Sequence, residues 1–247
     1  MRSGIAGLVL AAGAGRRWME ATESGVEDGT PADDTAASPS PEGGPKLLLT
    51  DAEGTTLLAH AIRSLTEAGC DPVLVVVGTH DERVRAELRA IVDRGAGADL
   101  RLVECPTWEH GLGESLRTGL SALPGVVDDH PGTDVDSVVI TLADLPEQGP
   151  ELVRRLLTAD PRGEGALART TFAGRPGHPV LLGRDRWSAA ARQAHDDVGA
   201  RDLLRSPGTV VVESGDLSSG TDVDHPADLA SVSARWGVRS APAKLDG

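Results

Sequence analysis

An α/β fold with a mostly parallel sheet between two layers of helices is predicted by three features of this 247-residue chain. Apolar runs short enough for strands alternate with longer stretches whose apolar residues recur at helical spacing. Those runs are continuous, as strands covered on both faces require. Aromatic content is minimal, with one Phe, four Trp and no Tyr, so the core must be built of Val, Leu, Ile and Ala. In such a sheet ligands bind beyond the carboxyl ends of the strands.

Residues 5–11 (IAGLVLA) read as a buried strand ending in a glycine-rich turn. Residues 19–44 hold seven acids and no base, with Pro, Ser, Thr and Gly filling most of the rest. Such a segment buries too little apolar surface to offset its ordering entropy, which predicts a disordered insertion loop rather than a domain boundary. Residues 55–68 are apolar at helical spacing (Leu57, Leu58, Ala61, Ile62, Leu65) and stop at Gly69. A strand is expected over 72–77. An amphipathic helix follows over 81–92, with Val84, Leu88, Ile91 and Val92 inward. A short strand is expected over 100–103, a helix over 114–123 and a buried strand over 137–143 (SVVITLA). A helix over 150–158 precedes two strands, 165–169 and 179–182, joined by a Gly/Pro loop. Short helices over 186–194 and 200–204, a strand over 209–213 and a final helix over 226–236 complete one expected domain over 1–236. Residues 237–247 read as a frayed tail.

The formal net charge of −14 argues against a nucleic-acid binder, which needs a basic face for phosphates. It also argues against an anionic membrane surface, while leaving small anionic ligands open. Cys70 and Cys105 lack metal spacing and read as free thiols in a reducing compartment. The apolar run from Ile5 is cut by Gly7 and Gly13 and is too short for a signal peptide or a membrane span. A cytoplasmic protein is expected.

Chemistry concentrates in a few short segments. After the first strand comes Leu10-Ala11-Ala12-Gly13-Ala14-Gly15-Arg16-Arg17. Small residues let backbone N–H groups approach phosphate oxygens, and the arginines add fixed charge. The dinucleotide fingerprint fails here, because its third glycine and following helix are missing. Lys46 follows Gly44-Pro45 and precedes an apolar run, which makes it a positioned cation. Asp144 ends the SVVITLA strand ahead of Leu145-Pro146. There it either shapes the turn or offers a carboxylate to the crevice. Asp222 and Asp224 alternate on an extended segment and point the same way. Asp224 either caps the helix that Pro226 starts or offers a second carboxylate.

The pairing of LAAGxGxR with Pro45-Lys46 resembles the signature of the nucleotidyltransferases that include the sugar-phosphate, terpenoid-precursor and molybdenum-cofactor transferases. The resemblance implies a Rossmann-like domain whose loop wraps a triphosphate. Leu10, Ala11, Ala12, Gly13, Gly15, Arg17 and Lys46 would bind the nucleotide. Arg17, Lys46 and Asp144 would act in catalysis. Mg²⁺ would be held by Asp144 and Asp224, with Asp222 as a secondary candidate. The run Trp108-x-x-Gly111-x-x-x-Ser115-Leu116 resembles the nucleoside-contacting segment of the cofactor transferases, giving Gly111 and Ser115. Their usual Asn three residues before the Trp is Cys105 here. The run Gly177-His178-Pro179-Val180-Leu181 resembles their acceptor-side segment, giving His178 as a substrate-binding residue. Gly199-Ala200-Arg201-Asp202-Leu203-Leu204 fits the same branch.

The implied reaction is transfer of CMP, or another NMP, from a triphosphate to the terminal phosphate of a molybdopterin-type acceptor, with release of pyrophosphate. LAAG rather than LAGG favours the cytidylyl branch. Rivals are the same chemistry on a sugar phosphate, phospholactate or terpenoid precursor, and a non-catalytic nucleotide-binding regulator of cofactor insertion. The implied partners are the triphosphate, the acceptor, and a molybdoenzyme or its insertion chaperone.

Overall fold

The computed structural model describes residues 3–13, 46–78, 82–95, 97–129, 134–161, 163–196, 198–224 and 228. Gly15, Arg16, Arg17, the acidic stretch 19–44, the expected helix over 226–236 apart from Asp228, and the tail 237–247 lie outside the described residues.

Seven strands form one sheet: β1 (Ser3–Ala11), β2 (Val73–Gly78), β3 (Leu100–Cys105), β4 (Asp134–Leu142), β5 (Leu167–Phe172), β6 (Arg175–Gly183) and β7 (Val210–Glu213). Their order is β3-β2-β1-β4-β6-β5-β7. β1 pairs parallel with β2 and β4, β2 with β3, and β5 with β7, while β6 runs antiparallel to both β4 and β5. The sheet is therefore mostly parallel with one reversed strand, as alternating strands and helices require everywhere except at the β5–β6 hairpin.

Among the described residues five helices cover it: α1 (Leu57–Thr66), α2 (Glu82–Asp93), α3 (Leu112–Asp128), α4 (Pro150–Ala159) and α5 (Arg184–Gln193). Side chains of β1 alternate between the two faces. Ala6, Leu8 and Leu10 join one core with Leu116, Leu120 and Leu123 of α3 and Trp187 of α5. Val9 and Ala11 join the other with Leu58 and Ile62 of α1, Val84 and Leu88 of α2 and Leu156 of α4. Two continuous cores on one sheet make the three layers. Gly119 of α3 lets that helix sit close, since a Cβ there would stand 2.7 Å from Leu8 Cδ1.

Several local expectations change. Val92 is 52% exposed, because it lies about 40° beyond Leu88, outside the Val84–Leu88–Ile91 stripe that faces the sheet. α3 continues through Pro124 to Asp128, beyond the stop expected near Leu123. Residues 200–204 form no α-helix; a 3₁₀ turn covers Leu203–Arg205 instead. The Gly/Pro loop expected between residues 169 and 179 is a two-residue turn, Ala173-Gly174, flanked by paired strand. Both turn residues have positive φ, 51° and 75°, the twist that suits a tight hairpin. His178 consequently sits in β6 rather than on a surface loop. Cys70 and Cys105 are both free and buried, and burial pushes the Cys70 thiol up to about 12.

Candidate active site

The carboxyl ends of β1 and β4 lie side by side, and Ala143 N–H donates to the Leu10 carbonyl across them at 3.1 Å. Beyond them the chain gathers Lys46, Asp144, Asp222 and Asp224. One carboxylate oxygen from each aspartate lies within 4.8 Å of the others. Lys46 opens a 3₁₀ turn (Lys46–Leu48) whose Leu47 is buried in the core, so its ammonium is fixed in place. Only 9% of the lysine is exposed, and Nζ donates to Asp144 Oδ2 at 2.6 Å and to Asp224 Oδ1 at 3.3 Å. The other oxygen, Asp144 Oδ1, is buried and meets no hydrogen-bond partner among the described residues.

Two supports hold these aspartates. Val223 N–H donates to the Asp144 carbonyl at 3.1 Å, tying residues 222–224 to the end of β4. Asp224 N–H donates to Asp228 Oδ2 at 2.9 Å. Partial desolvation, and then the neighbouring Asp144 and Asp224 carboxylates, push the Asp222 carboxyl above the ordinary carboxylate value even though its side chain is open to solvent.

Leu10, Ala11 and Ala12 are buried, so backbone is what they present to a ligand. The Ala12 methyl lies in the α3-side core rather than in the loop. Gly13 is exposed, and a Cβ built there would meet nothing within 4 Å. The N-terminus of α3 stands at the same end of the sheet. Trp108 lies over the end of β2, where a Cβ on Gly78 would stand 3.2 Å from the indole. Gly111 then turns the chain with φ 109°, in the left-handed region that glycine tolerates. Gly113 meets the backbone of His195, with no room for a side chain, and donates to the Asp196 carbonyl at 2.6 Å. Ser115 is buried in the first turn of this helix. A hydrogen bond from Thr107, then Arg117, holds the neighbouring Glu114 carboxyl below its usual range.

His178 stands on the other side of Asp144. Its Nδ1 lies 3.5 Å from the Ile140 carbonyl oxygen, and burial lowers its pKa against the opposing pull of the Asp144 carboxylate.

Sequence reasoning missed the support beneath the Asp144 turn. Gln148 is buried, bonds the Thr141 hydroxyl through Oε1, and donates from Nε2 to Ser64 Oγ at 2.8 Å. A glutamine two residues after Pro146 carries no signal by type, because its partners come from β4 and α1. A cleft of about 400 Å³ beside the same turn, lined by Asp51, Thr55, His60, Arg63, Pro146 and Gln148, was equally invisible.

Among the described residues no helix is long and apolar enough to cross a membrane. The profile of the MobA-like NTP transferase domain matches residues 7–211. Nicotine blue oxidoreductase of Paenarthrobacter nicotinovorans is 27% identical, over 89% of this chain and 92% of its own. The bifunctional protein GlmU of Mycolicibacterium gilvum is 30% identical over 68% of this chain, which spans only 30% of that longer protein. Rv0371c of Mycobacterium tuberculosis H37Rv shares the fold at a TM-score of 0.63 and 24% identity, covering 93% of this chain and 98% of the other. The match covers most of the sheet and the strand ends where the lysine and the first aspartate meet, and the chain belongs to the MobA-like NTP transferase family, a family of nucleotidyltransferases.

Proposed function

We propose that the chain transfers CMP from CTP to the terminal phosphate of a molybdopterin-type acceptor, with Mg²⁺ at Asp144 and Asp224 and with pyrophosphate released. The observation that carries this reading is the Lys46–Asp144–Asp224 cluster at the ends of β1 and β4. The donor set fits a hard divalent cation: carboxylate oxygens only, one of them buried without a hydrogen-bond partner among the described residues. Three carboxylates against one ammonium also leave the cluster net negative. Asp222 is the secondary ligand candidate. A bound Mg²⁺ would neutralise the triphosphate and the departing pyrophosphate. Manganese in a second Rv0371c structure, of the same fold, accords with a divalent site.

An acceptor phosphate oxygen forms the new bond to the α-phosphorus, and the bond from that phosphorus to the bridging oxygen breaks. The electron pair leaves with pyrophosphate. The acceptor is already anionic, so the protein supplies position and charge rather than a nucleophile. Lys46 and Arg17 neutralise the triphosphate. The backbone of Leu10, Ala11, Ala12, Gly13 and Gly15 cradles it, Gly111 and Ser115 border the nucleoside, and His178 faces the acceptor.

The test is pyrophosphate release with CTP and GTP against a panel of molybdopterin, a sugar phosphate, phospholactate and a terpenoid precursor. CTP-dependent release with molybdopterin alone is expected, with CTP favoured over GTP by about tenfold in kcat/KM, ~1.4 kcal/mol. Chelation should stop turnover and Mg²⁺ restore it. The oxidoreductase named above favours a second reading, redox chemistry on the same nucleotide-binding frame. Consumption of a reduced nicotinamide without pyrophosphate release would select it.

A further inference from the structure

Arg169 is a cation whose hydrogen bonds are incomplete. It lies on β5, and its Nη1 donates to the Leu204 carbonyl at 3.3 Å. Its Nε is buried and meets no hydrogen-bond partner among the described residues. Burial, and then the nearby Arg205, lower the guanidinium pKa. A buried donor left unsatisfied is costly, and fold stability alone gives no reason to keep one.

The register shows what it faces. Arg169 pairs with Val180 of β6, and Val180 pairs with Ile140 of β4. His178 lies two residues from Val180, so it shares that face of the sheet. Asp144 lies in the turn that follows β4, two residues past its end at Leu142. Electrostatics agree: His178 feels both the Asp144 carboxylate and the Arg169 guanidinium, with opposite effects. His178 and Arg169 thus share one face of neighbouring strands, with Asp144 in the turn after β4, the strand on the far side of β6 from β5. The β5–β6 register shifts between Arg169 and Thr171, an irregularity of the kind that re-aims side chains.

We propose that Arg169 is an acceptor-binding residue and that its ligand is a phosphate monoester held between it and His178. This rests on the nucleotidyltransferase reading above. The triphosphate loop follows β1, on one side of Asp144. Arg169 lies two strands away on the other side, about 10 Å by strand spacing, where a second substrate would enter. With Nη1 turned to Leu204, the Nε edge of the fork is left, and that edge suits paired phosphate oxygens.

Inorganic phosphate is the probe, titrated into the full chain with Mg²⁺ and α,β-methylene-CTP filling the nucleotide side. In Arg169→Met the phosphate affinity is expected to fall about tenfold or more, the loss typical of a charged hydrogen bond. The variant should melt no lower than the wild type, since it removes an orphaned donor, and should bind the nucleotide analogue as tightly. Arg169→Lys, which keeps charge but not the fork, should fall between. Failure of the wild type to bind phosphate overturns the proposal. So do equal phosphate affinity in Arg169→Met and a parallel loss of analogue affinity. A markedly lowered melting temperature in both variants, with phosphate affinity retained in the lysine form, would mark a structural arginine and overturn it too. A wild type that binds phosphate but not the analogue defeats the nucleotidyltransferase reading; the phosphate titration, run without nucleotide, then tests Arg169 by itself.

Discussion

On the β1 side of Asp144 the candidate chemistry comes from short runs of chain at strand ends. Gly13 follows β1 by two residues, Lys46 opens its 3₁₀ turn, and Asp144 follows β4 by two residues. On the β6 side it comes from register: His178 and Arg169 meet only because the β5–β6 hairpin lays them on one face beside Ile140. On the first side Lys46 bridges two of three clustered carboxylates, and the second keeps a guanidinium nitrogen without a hydrogen-bond partner among the described residues. A site assembled from contiguous motifs can be recognised piece by piece. One assembled by pairing becomes visible only after the strands are in place.

The strongest way to break this comparison is on the first side. Asp144→Ala is expected to lower kcat by about a thousandfold or more, the scale seen when a charge-stabilising group is lost. Its thermal unfolding should stay close to wild type, because Asp144 is no core residue. Asp224→Ala should behave alike and Asp222→Ala should cost much less. If Asp222→Ala proves the worst of the three, the ligand pair is Asp144 with Asp222. Steady-state rates at limiting Mg²⁺ decide between them.

A smaller effect is expected one layer below. Gln148 joins Thr141 of β4 to Ser64 of α1 and so fixes the turn that carries Asp144. Gln148→Leu keeps the volume but drops both bonds. A displaced carboxylate should lower kcat by about ten- to a hundredfold, while nucleotide affinity holds. An unchanged kcat in a folded variant would show that the turn positions Asp144 without the network.

Legibility in the sequence followed the same divide. The periodicity of residues 55–68 and the continuous runs at 72–77 and 137–143 predicted α1, β2 and β4, because burial on one stripe or on both faces leaves its mark on composition. The nearness of Asp144 and Asp224 was expected from the resemblance, whereas Lys46 was expected at the triphosphate and its ion pairs to both aspartates were not foreseen. The six- and nine-residue strands of the hairpin were misread, β6 as only residues 179–182, since Arg175, Pro176 and Gly177 look like loop residues and lie at the exposed start of β6. That misreading put His178 on a loop and hid Arg169 altogether. That the Ala12 methyl, just past β1, packs into the α3-side core was likewise out of reach, because it depends on the helix laid on that face.

The smallest expected effect concerns the hairpin turn itself. Glu213, at the end of β7, accepts from Ala173 N–H at 2.8 Å and Gly215 N–H at 3.0 Å through Oε1. Through Oε2 it accepts from Gly174 N–H at 3.1 Å and from the Thr171 hydroxyl at 2.9 Å. These bonds, Gly174 first, hold its carboxyl down at about 2, below the usual 4.5. A carboxylate with a depressed pKa stabilises the fold fully above the unfolded value and loses that contribution as pH falls from about 4.5 towards about 2. Glu213→Gln should therefore melt a few degrees below wild type at neutral pH, with the gap closing as pH approaches 2. A gap of constant size across that range would mean that hydrogen-bond shape, and not charge, holds the turn. Because the same hairpin carries Arg169 and His178, the variant should also raise KM for the acceptor at neutral pH and leave KM for the nucleotide unchanged. A matching rise in both would erase the distinction between the two sides, since loosening the β6 side would then reach the β1 side through the sheet.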